Sequence, residues 1–241
     1  MTIAAALTRP REAAALSRKQ EREESAWERV VDMRLILIGT EYTGKTTLCQ
    51  GLMDWGHENG IHHHLDDHFS IPDCQMLKSE EDQKIMTGLP DVLKERFQRF
   101  QIAYHVRLIN KYEHILLGGF HIEEAVYGPK YYYPSIGRLV ETPRAWEAGM
   151  PDDTVLVYLR AKKEVIADRM KQNPHAYQVV PESDIEEMQE AFNQEYRKSW
   201  IMRKLTIDTS ELSADGLLEA FLKASIPHLD TRDLLIRAAI A

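Results

Sequence analysis

Eight residues in the N-terminal part of the chain have the spacing of a loop that binds phosphate. They read Gly39-Thr-Glu-Tyr-Thr-Gly44-Lys45-Thr46, so that two glycines flank four residues and a lysine and a threonine follow. Glycines let the backbone wrap closely around a phosphate, and a helix that begins here aims its N–H groups at the same anion. The sequence predicts that Lys45 meets the β- and γ-phosphates of a nucleoside triphosphate, and that the Thr46 hydroxyl binds Mg²⁺.

Such a loop needs a strand before it and a helix after it, and the flanking residues supply both. The apolar run 34–38 is typical of a buried parallel strand, and Leu48, Leu52 and Trp55 share one face of a helix predicted from Lys45 to about residue 57. Because strand, spacing and helix agree, we favour ATP binding over a chance match. The residues predicted to contact the nucleotide are Gly39, Thr40, Glu41, Tyr42, Thr43, Gly44, Lys45, Thr46 and Thr47.

The composition is typical of a packed α/β domain. Of 241 residues, 44% are hydrophobic and 28% are charged, which is close to the average of globular proteins. The formal net charge of -8 argues against a general affinity for nucleic acid. No apolar run is long enough to span a membrane, and the two cysteines have no metal-ligand spacing. We therefore expect a cytoplasmic protein that binds neither nucleic acid nor membrane.

Strands and helices alternate along the rest of the chain. This alternation predicts an α/β fold of three layers, with a parallel sheet covered by helices on both faces. Further strands are predicted at 61–65, 120–122, 154–159 and 205–207. Further helices are predicted at 90–117, 162–172, 182–198 and 213–225, with a loop at 173–181. The domain is expected to cover 33–226, between a helical or partly disordered extension, 1–32, and a tail, 227–241.

Acidic side chains follow the predicted second and third strands. Asp66 and Asp67 come after one strand, and Glu123 and Glu124 come after the other. The carboxyl ends of parallel strands line one crevice, which is also where the glycine loop lies. We expect one carboxylate of each pair to lie near the γ-phosphate, where it can hold Mg²⁺ or position an acceptor. The alternative is that these residues cap the following helices.

Candidates for reading an acceptor lie on the long helix and after the third strand. Glutamine and arginine on the helix, such as Gln101 and Arg107, can recognise a planar base. Tyr127 and its neighbours, 131–133, can stack on that base or on a sugar, or can simply pack. For the histidines at 62–64 we favour ordinary packing over a zinc site, because alternate residues of a strand face opposite ways.

Together these motifs resemble the thymidylate kinase and deoxynucleoside kinase superfamily of P-loop kinases. Asp66-Asp67 falls where that family carries a catalytic or substrate-orienting carboxylate. Phe100-Gln101 followed by Arg107 is similar to the family's substrate helix, in which a glutamine contacts the base; the register leaves Gln98 or Gln101 open for this role.

The segment 120–127 is similar to the family's third-strand motif, an acidic residue followed by arginine. Glu123 matches the acid, but Glu124 stands where the arginine is expected. The resemblance implies Glu123 as a Mg²⁺ ligand, and Lys130 or Arg138 as a substitute for the missing arginine. It also implies that Tyr127 and Lys130 meet the substrate.

The C-terminal half resembles the strand and helix that lead into the family's lid. There the lid brings arginines onto the transferring phosphate, yet 173–181 contains no arginine. Arg169, Lys171 and His175 are the remaining candidates for neutralising the developing charge, and we favour Arg169. Asp208 and Thr209 match the loop that holds the adenine of ATP. The resemblance covers about residues 33–225.

The resemblance implies a magnesium- and ATP-dependent kinase of a nucleoside or nucleoside monophosphate, often a homodimer in this superfamily. Two alternatives remain open. One is a kinase of another small metabolite. The other is an ATPase or nucleotide-dependent regulator without an acceptor, which the arginine-free lid and the predicted N-terminal helix favour. A GTPase switch is disfavoured, because no Asn-Lys-x-Asp motif occurs.

Overall fold

A computed structural model describes residues 33–67, 71, 77–137, 142–175 and 178–228. The five strands of this part are parallel and form one sheet in the order β2-β3-β1-β4-β5. They are β1 (Met33–Ile38), β2 (His64–Asp67), β3 (His114–Gly118), β4 (Val155–Arg160) and β5 (Arg203–Asp208). The predicted extension 1–32 and most of the tail 227–241 lie outside the described residues, and the domain bounds stay a prediction.

Eight α-helices surround the sheet within this part of the chain. They are α1 (Lys45–Glu58), α2 (Glu80–Gly88), α3 (Asp91–Lys111), α4 (Phe120–Tyr127), α5 (Pro143–Glu147), α6 (Lys163–Gln172), α7 (Ile185–Lys198) and α8 (Ala214–Ser225). A π-helical turn, Gly128–Tyr132, continues α4, and short 3-10 turns lie at Glu182–Asp184 and Ile226–His228. None of the described helices has the length and apolar character needed to cross a bilayer.

The core lies in two layers because side chains of a strand alternate between its faces. Leu35 and Leu37 of β1 belong to a buried cluster with residues of α1 and α8. Ile36 and Ile38 belong to a second cluster with residues of α3, α4 and α7. The predicted three-layer α/β architecture is thereby confirmed.

The predicted third strand is wrong. The apolar residues 115–117 form β3, which pairs with β1 and β2, and 120–122 begin helix α4 instead. The long helix ends at Lys111 and not near residue 117, because the backbone is already extended at Tyr112. Because 115–117 are buried on both faces of the sheet, they carry no alternating pattern, and they read equally well as the end of a helix.

Two further differences concern the second strand and the helix after it. Asp66 and Asp67 are part of β2 and do not follow it. Helix α2 is absent from the sequence prediction, although its N-cap is recognisable: the Ser79 side chain accepts a hydrogen bond from the Asp82 N–H at 3.1 Å. Its buried residues are Gln83 and Met86, so its inner face carries too few apolar residues for hydrophobic periodicity to reveal it.

Candidate active site

The glycine loop joins β1 to α1, and its two glycines hold backbone angles that other residues avoid. Gly39 has φ 145° and Gly44 has φ 94°. A Cβ on Gly39 would lie 2.2 Å from the carbonyl oxygen of Leu159. Gly44 is the N-cap of α1, where no side chain caps the helix and no acidic residue occupies the first turn. The N-terminus of α1 therefore has no side-chain cap that would compete with an anion.

The ammonium group of Lys45 lies at the mouth of this loop. Its Nζ donates to the Gly39 carbonyl oxygen at 2.6 Å and to Glu123 Oε2 at 2.6 Å. The hydroxyl-bearing residues that follow, Thr46 and Thr47, are exposed at the start of α1. The loop thus combines a positive group, a helix N-terminus and two accessible hydroxyls, which is the set that a triphosphate with Mg²⁺ needs.

Glu123 reaches Lys45 from the first turn of α4. The turn before this helix has Gly119 at φ 70°, and a Cβ on Gly119 would lie 2.7 Å from the Glu123 carboxyl group. Glycine at this position therefore leaves the space in which the carboxylate meets Lys45. Glu123 was predicted to follow a strand at 120–122, and these residues are helical instead. Its carboxylate nevertheless lies beside the glycine loop, as expected.

Two side chains of the loop bind the segment that we call the lid, 173–181. The carboxylate of Glu41 accepts hydrogen bonds from the N–H groups of Val179, at 3.0 Å, and Val180, at 2.8 Å. The ring of Tyr42 stacks on His175, with 4.2 Å between ring centroids, and its hydroxyl accepts from the His175 N–H at 2.8 Å. The lid is thus anchored to the loop itself.

Burial affects the charge of the groups around Glu41. It raises the pKa of Glu41, and the two lid N–H groups and Lys45 oppose this rise. Burial also raises the pKa of Tyr127 well above its ordinary value, so that this phenol stays protonated. The Tyr127 hydroxyl accepts a hydrogen bond from the Glu41 N–H at 3.2 Å. The structure therefore places Tyr127 beneath the glycine loop.

Arg169 joins the glycine loop to the end of β5. Its guanidinium donates to the carbonyl oxygen of Tyr42 at 2.9 Å and to the carbonyl oxygen of Thr209 at 2.7 Å. The Thr209 hydroxyl donates in turn to the carbonyl oxygen of Thr43 at 3.0 Å. Asp208 accepts from the Ser210 N–H and hydroxyl and turns the chain after β5. The predicted adenine loop thus lies directly against the phosphate loop.

On the other side of the loop, α3 contributes a cavity and a partner for Asp66. The carboxylate of Asp66 lies 3.4 Å from Nε2 of the buried His105. The side chain of Asp67 lies outside the described part. The cavity between α3, α4 and α5 has a volume of about 10 Å³, room for about one water molecule. Its lining residues are Glu95, Gln98, Arg99, Ile102, Glu124, Tyr133 and Trp146.

Comparison with known proteins identifies the fold. No family model and no curated protein matches the chain, but solved structures do. YorR from Bacillus subtilis, in complex with phosphorylated GDP, superposes with a TM-score of 0.54 at 18% identity, over 81% of this chain and 98% of that chain. The chain has a P-loop kinase-like fold.

Two enzymes show the same P-loop kinase-like fold. Deoxyadenosine kinase from M. mycoides, with dCMP and dCDP bound, has a TM-score of 0.53 at 13% identity, over 79% of this chain and 97% of that chain. Thymidylate kinase from Candida albicans has a TM-score of 0.51 at 14% identity, over 80% of this chain and 91% of that chain. At these identities the likeness shows the fold alone.

Within this P-loop kinase-like fold, the predicted substrate residues are dispersed. On α3, Gln101 is half-buried and Arg107 is exposed, and neither lines the cavity; Gln98 does. The signal for Gln98 was present in the sequence, because it shares the buried face of α3 with Ile102 and Ile109. Lys130 pairs with Asp184 at 2.9 Å and with a glutamate of α7, and Arg138 lies outside the described residues.

Proposed function

We propose that the protein is a magnesium- and ATP-dependent kinase that phosphorylates a nucleoside or nucleoside monophosphate. One observation carries the proposal: Lys45 Nζ lies 2.6 Å from both the loop carbonyl of Gly39 and the Glu123 carboxylate, at a helix N-terminus that no side chain caps. A triphosphate in the loop would contact the ammonium group of Lys45 and the N–H groups at the start of α1, with the Glu123 carboxylate next to it.

The donor site fits ATP and Mg²⁺. The backbone of residues 39–47 would wrap the phosphates, while Asp208 and Thr209 would hold the adenine. The Thr46 hydroxyl and the Glu123 carboxylate are oxygen ligands of the kind that Mg²⁺ prefers. The carboxylate of Glu123 fits beside Lys45 because residue 119 is glycine and has no Cβ to fill that space. When bound, Mg²⁺ neutralises charge on the transferring phosphate.

The acceptor would lie on the α3 side, where Asp66 or Asp67 orients it or removes its proton. The position of Asp66 beside His105 fixes one candidate carboxylate at the end of β2. Arg169 would neutralise charge at the lid side, and its bonds to the carbonyls of Tyr42 and Thr209 tie that role to the position of the loop. Thymidylate kinase and deoxyadenosine kinase, which share the fold, agree with this acceptor class.

Replacement of Lys45 tests the donor site. We expect Lys45→Ala to lower phosphoryl transfer by about 100- to 1,000-fold, the loss typical of a removed transition-state contact. Lys84→Ala is the matched control, because the Lys84 side chain is 74% exposed on α2, and it should retain full transfer. Unchanged transfer in Lys45→Ala would show that the assigned donor site is wrong.

The second candidate function is an ATPase or nucleotide-dependent regulator without a small-molecule acceptor. It is favoured by the lid, which contains no arginine in its sequence. It is also favoured by the position of Arg169, because its guanidinium already donates to two carbonyl oxygens of the protein. Slow ATP hydrolysis that no compound in a panel of nucleosides, nucleotides, sugars and other metabolites stimulates would select this candidate. Stimulation by a non-nucleoside would instead select a kinase of another metabolite.

A further inference from the structure

The middle of the phosphate loop is held from outside through its backbone carbonyl groups. The guanidinium of Arg169, on α6, donates to the carbonyl oxygen of Tyr42 at 2.9 Å. The hydroxyl of Thr209, directly after β5, donates to the carbonyl oxygen of Thr43 at 3.0 Å. Two consecutive carbonyl groups of the loop are thus bound by residues from elements that follow much later in the chain, and the conformation of the loop depends on them.

The backbone at Tyr42 is of the kind that needs such support. Its φ of 63° lies in the left-handed region, which residues with a bulky side chain rarely adopt. A residue stays in this region only where the surrounding contacts determine its conformation. The stacking of the Tyr42 ring on His175 is one such contact, and the donors to the carbonyls of Tyr42 and Thr43 are the others.

The peptide unit between Thr43 and Gly44 connects this support to anion binding. In a planar trans peptide the C=O group and the following N–H group point in opposite directions. Because the Thr43 carbonyl is bound to Thr209, the N–H of Gly44 points away from that side of the loop. Gly44 is the N-cap of α1, so its N–H lies among the backbone donors with which a helix N-terminus binds phosphate.

Thr209 uses its polar groups within the protein. Its N–H donates to the carbonyl oxygen of Arg160 at 2.8 Å, and its own carbonyl oxygen accepts from Arg169 at 2.7 Å. Its hydroxyl accepts from Arg169 at 3.1 Å. A guanidinium only donates and a carbonyl only accepts, so the hydroxyl hydrogen belongs to the bond with Thr43. The side chain is 2% exposed and faces the phosphate loop, so it contributes to adenine binding only by placing its own loop.

We propose that Thr209 is a positioning residue for the phosphates of the donor. Its hydroxyl holds the Thr43 carbonyl, and through it the N–H of Gly44 is aimed at the anion. The inference rests on the donor site of the proposed kinase function. It makes the affinity for the phosphate chain depend on this hydroxyl, so that ATP and a bare polyphosphate are affected to the same extent. A direct contact with the adenine would instead affect ATP alone.

The test measures dissociation constants of the full chain for ATP and for inorganic tripolyphosphate by isothermal titration calorimetry. Thr209→Val keeps the shape and removes the hydroxyl, and it should weaken both probes about 10-fold, the loss typical of one hydrogen bond whose partner stays buried. Thr209→Ser keeps the hydroxyl and should bind both probes within about 2-fold of the wild type. Thr206→Val, the same change at an exposed position of β5, is the control and should change neither affinity.

The outcomes separate this inference from the kinase function. Weaker binding of ATP with unchanged binding of tripolyphosphate would show a direct contact with the adenine and would overturn the inference. Unchanged affinities in a variant with a lowered melting temperature would overturn it too, because the hydrogen bond would then only stabilise the fold. A wild type that binds ATP but not tripolyphosphate has the same consequence, and Thr209→Ala decides the matter if Thr209→Val does not fold.

The proposed function is judged separately, by phosphoryl transfer. Transfer by a wild type that gives any of these contrary results leaves the kinase function in place and removes only the role of Thr209. The expected affinities without transfer to any acceptor would leave the role of Thr209 in place and contradict the kinase function. If the wild type binds neither ATP nor tripolyphosphate, the donor site itself is wrong and both proposals fail.

Discussion

His63 makes the stability of the fold depend on pH in a measurable way. It precedes β2 and is 8% exposed, and neither ring nitrogen has a hydrogen-bond partner among the described residues. Its ring packs against Gly56 of α1 and lies 6.0 Å from the ring of His114, centroid to centroid. Burial, with a smaller contribution from His114, lowers the pKa of His63 from 6.5 to about 4. The folded state therefore holds this ring neutral.

The size of the effect follows from the two pKa values. Between pH 6.5 and about pH 4 the unfolded chain binds one more proton than the folded chain, so the free energy of unfolding falls as the pH falls. Each pH unit in this window costs about 1.4 kcal/mol. Acidification from neutral pH to about pH 5 should remove about 2 kcal/mol through His63 alone. This is a large part of a typical stability of about 5–15 kcal/mol.

Urea unfolding followed by tryptophan fluorescence, at intervals between about pH 8 and pH 5, measures this loss. His63→Leu removes the titrating ring without adding a polar group, and its stability should lack the loss of about 2 kcal/mol over this range. His62→Gln, an exposed neighbour, is the control and should keep the wild-type slope. Equal slopes for the wild type and His63→Leu would refute the reasoning.

Three further outcomes are expected. Gly119→Ala should destabilise the fold by about 1–2 kcal/mol and, because its Cβ displaces the Glu123 carboxylate, should lower phosphoryl transfer about 100-fold; a variant with normal activity would contradict the assigned geometry. Burial opposes the charge on Glu147, but hydrogen bonds, first from His121, lower its pKa below 4.5, so Glu147→Gln should cost about 2 kcal/mol in urea unfolding at neutral pH. That difference should shrink as the pH falls below 4.5, because the unfolded wild-type chain then takes up the proton while the folded carboxylate, with its lowered pKa, resists it. Glu41→Ala removes the acceptor of two lid N–H groups, and hydrogen exchange at these amides should become about 10-fold faster; unchanged exchange would show that the anchor contributes nothing.

The sequence predicted an element correctly where its local pattern fits only one kind of secondary structure. The glycine loop requires a strand before it and a helix after it, and β1 and α1 are both present as expected. The runs at 154–159 and 205–207 are apolar and short, and they form β4 and β5 within two residues of the predicted bounds. Local chemistry and tertiary packing select the same structure at these places.

Prediction failed where two local readings were equally good and only packing selects between them. Residues 115–117 continue the apolar character of the long helix, and nothing local shows that they are inserted between β1 and β2. The two glycines at 118–119 directly follow the helix predicted at 90–117, yet Gly118 ends β3 and Gly119 is the N-cap of α4. Long-range contact determines both outcomes, and a single sequence does not contain it.

Within the site, the spacing of residues along the chain does not show which neighbours their side chains contact. The loop position of Glu41 was predicted to meet the nucleotide, but its side chain binds the lid backbone across 138 residues of sequence. Likewise Lys130 was predicted beside a substrate and is paired with α7. Charged and aromatic side chains are long enough to serve several neighbours, and their spacing along the chain does not identify which one they reach.

The grip of the phosphate loop on the lid has a mechanical consequence. Glu41 and Tyr42 lie in the segment that would wrap the donor, Tyr42 holds a left-handed φ of 63°, and both side chains bind the lid. Any small backbone shift that an arriving anion causes in this segment is therefore transmitted to the lid without an intermediate element. A lid that lacks arginines can in this way respond to the donor through the loop's own side chains, and needs no contact of its own with the phosphates.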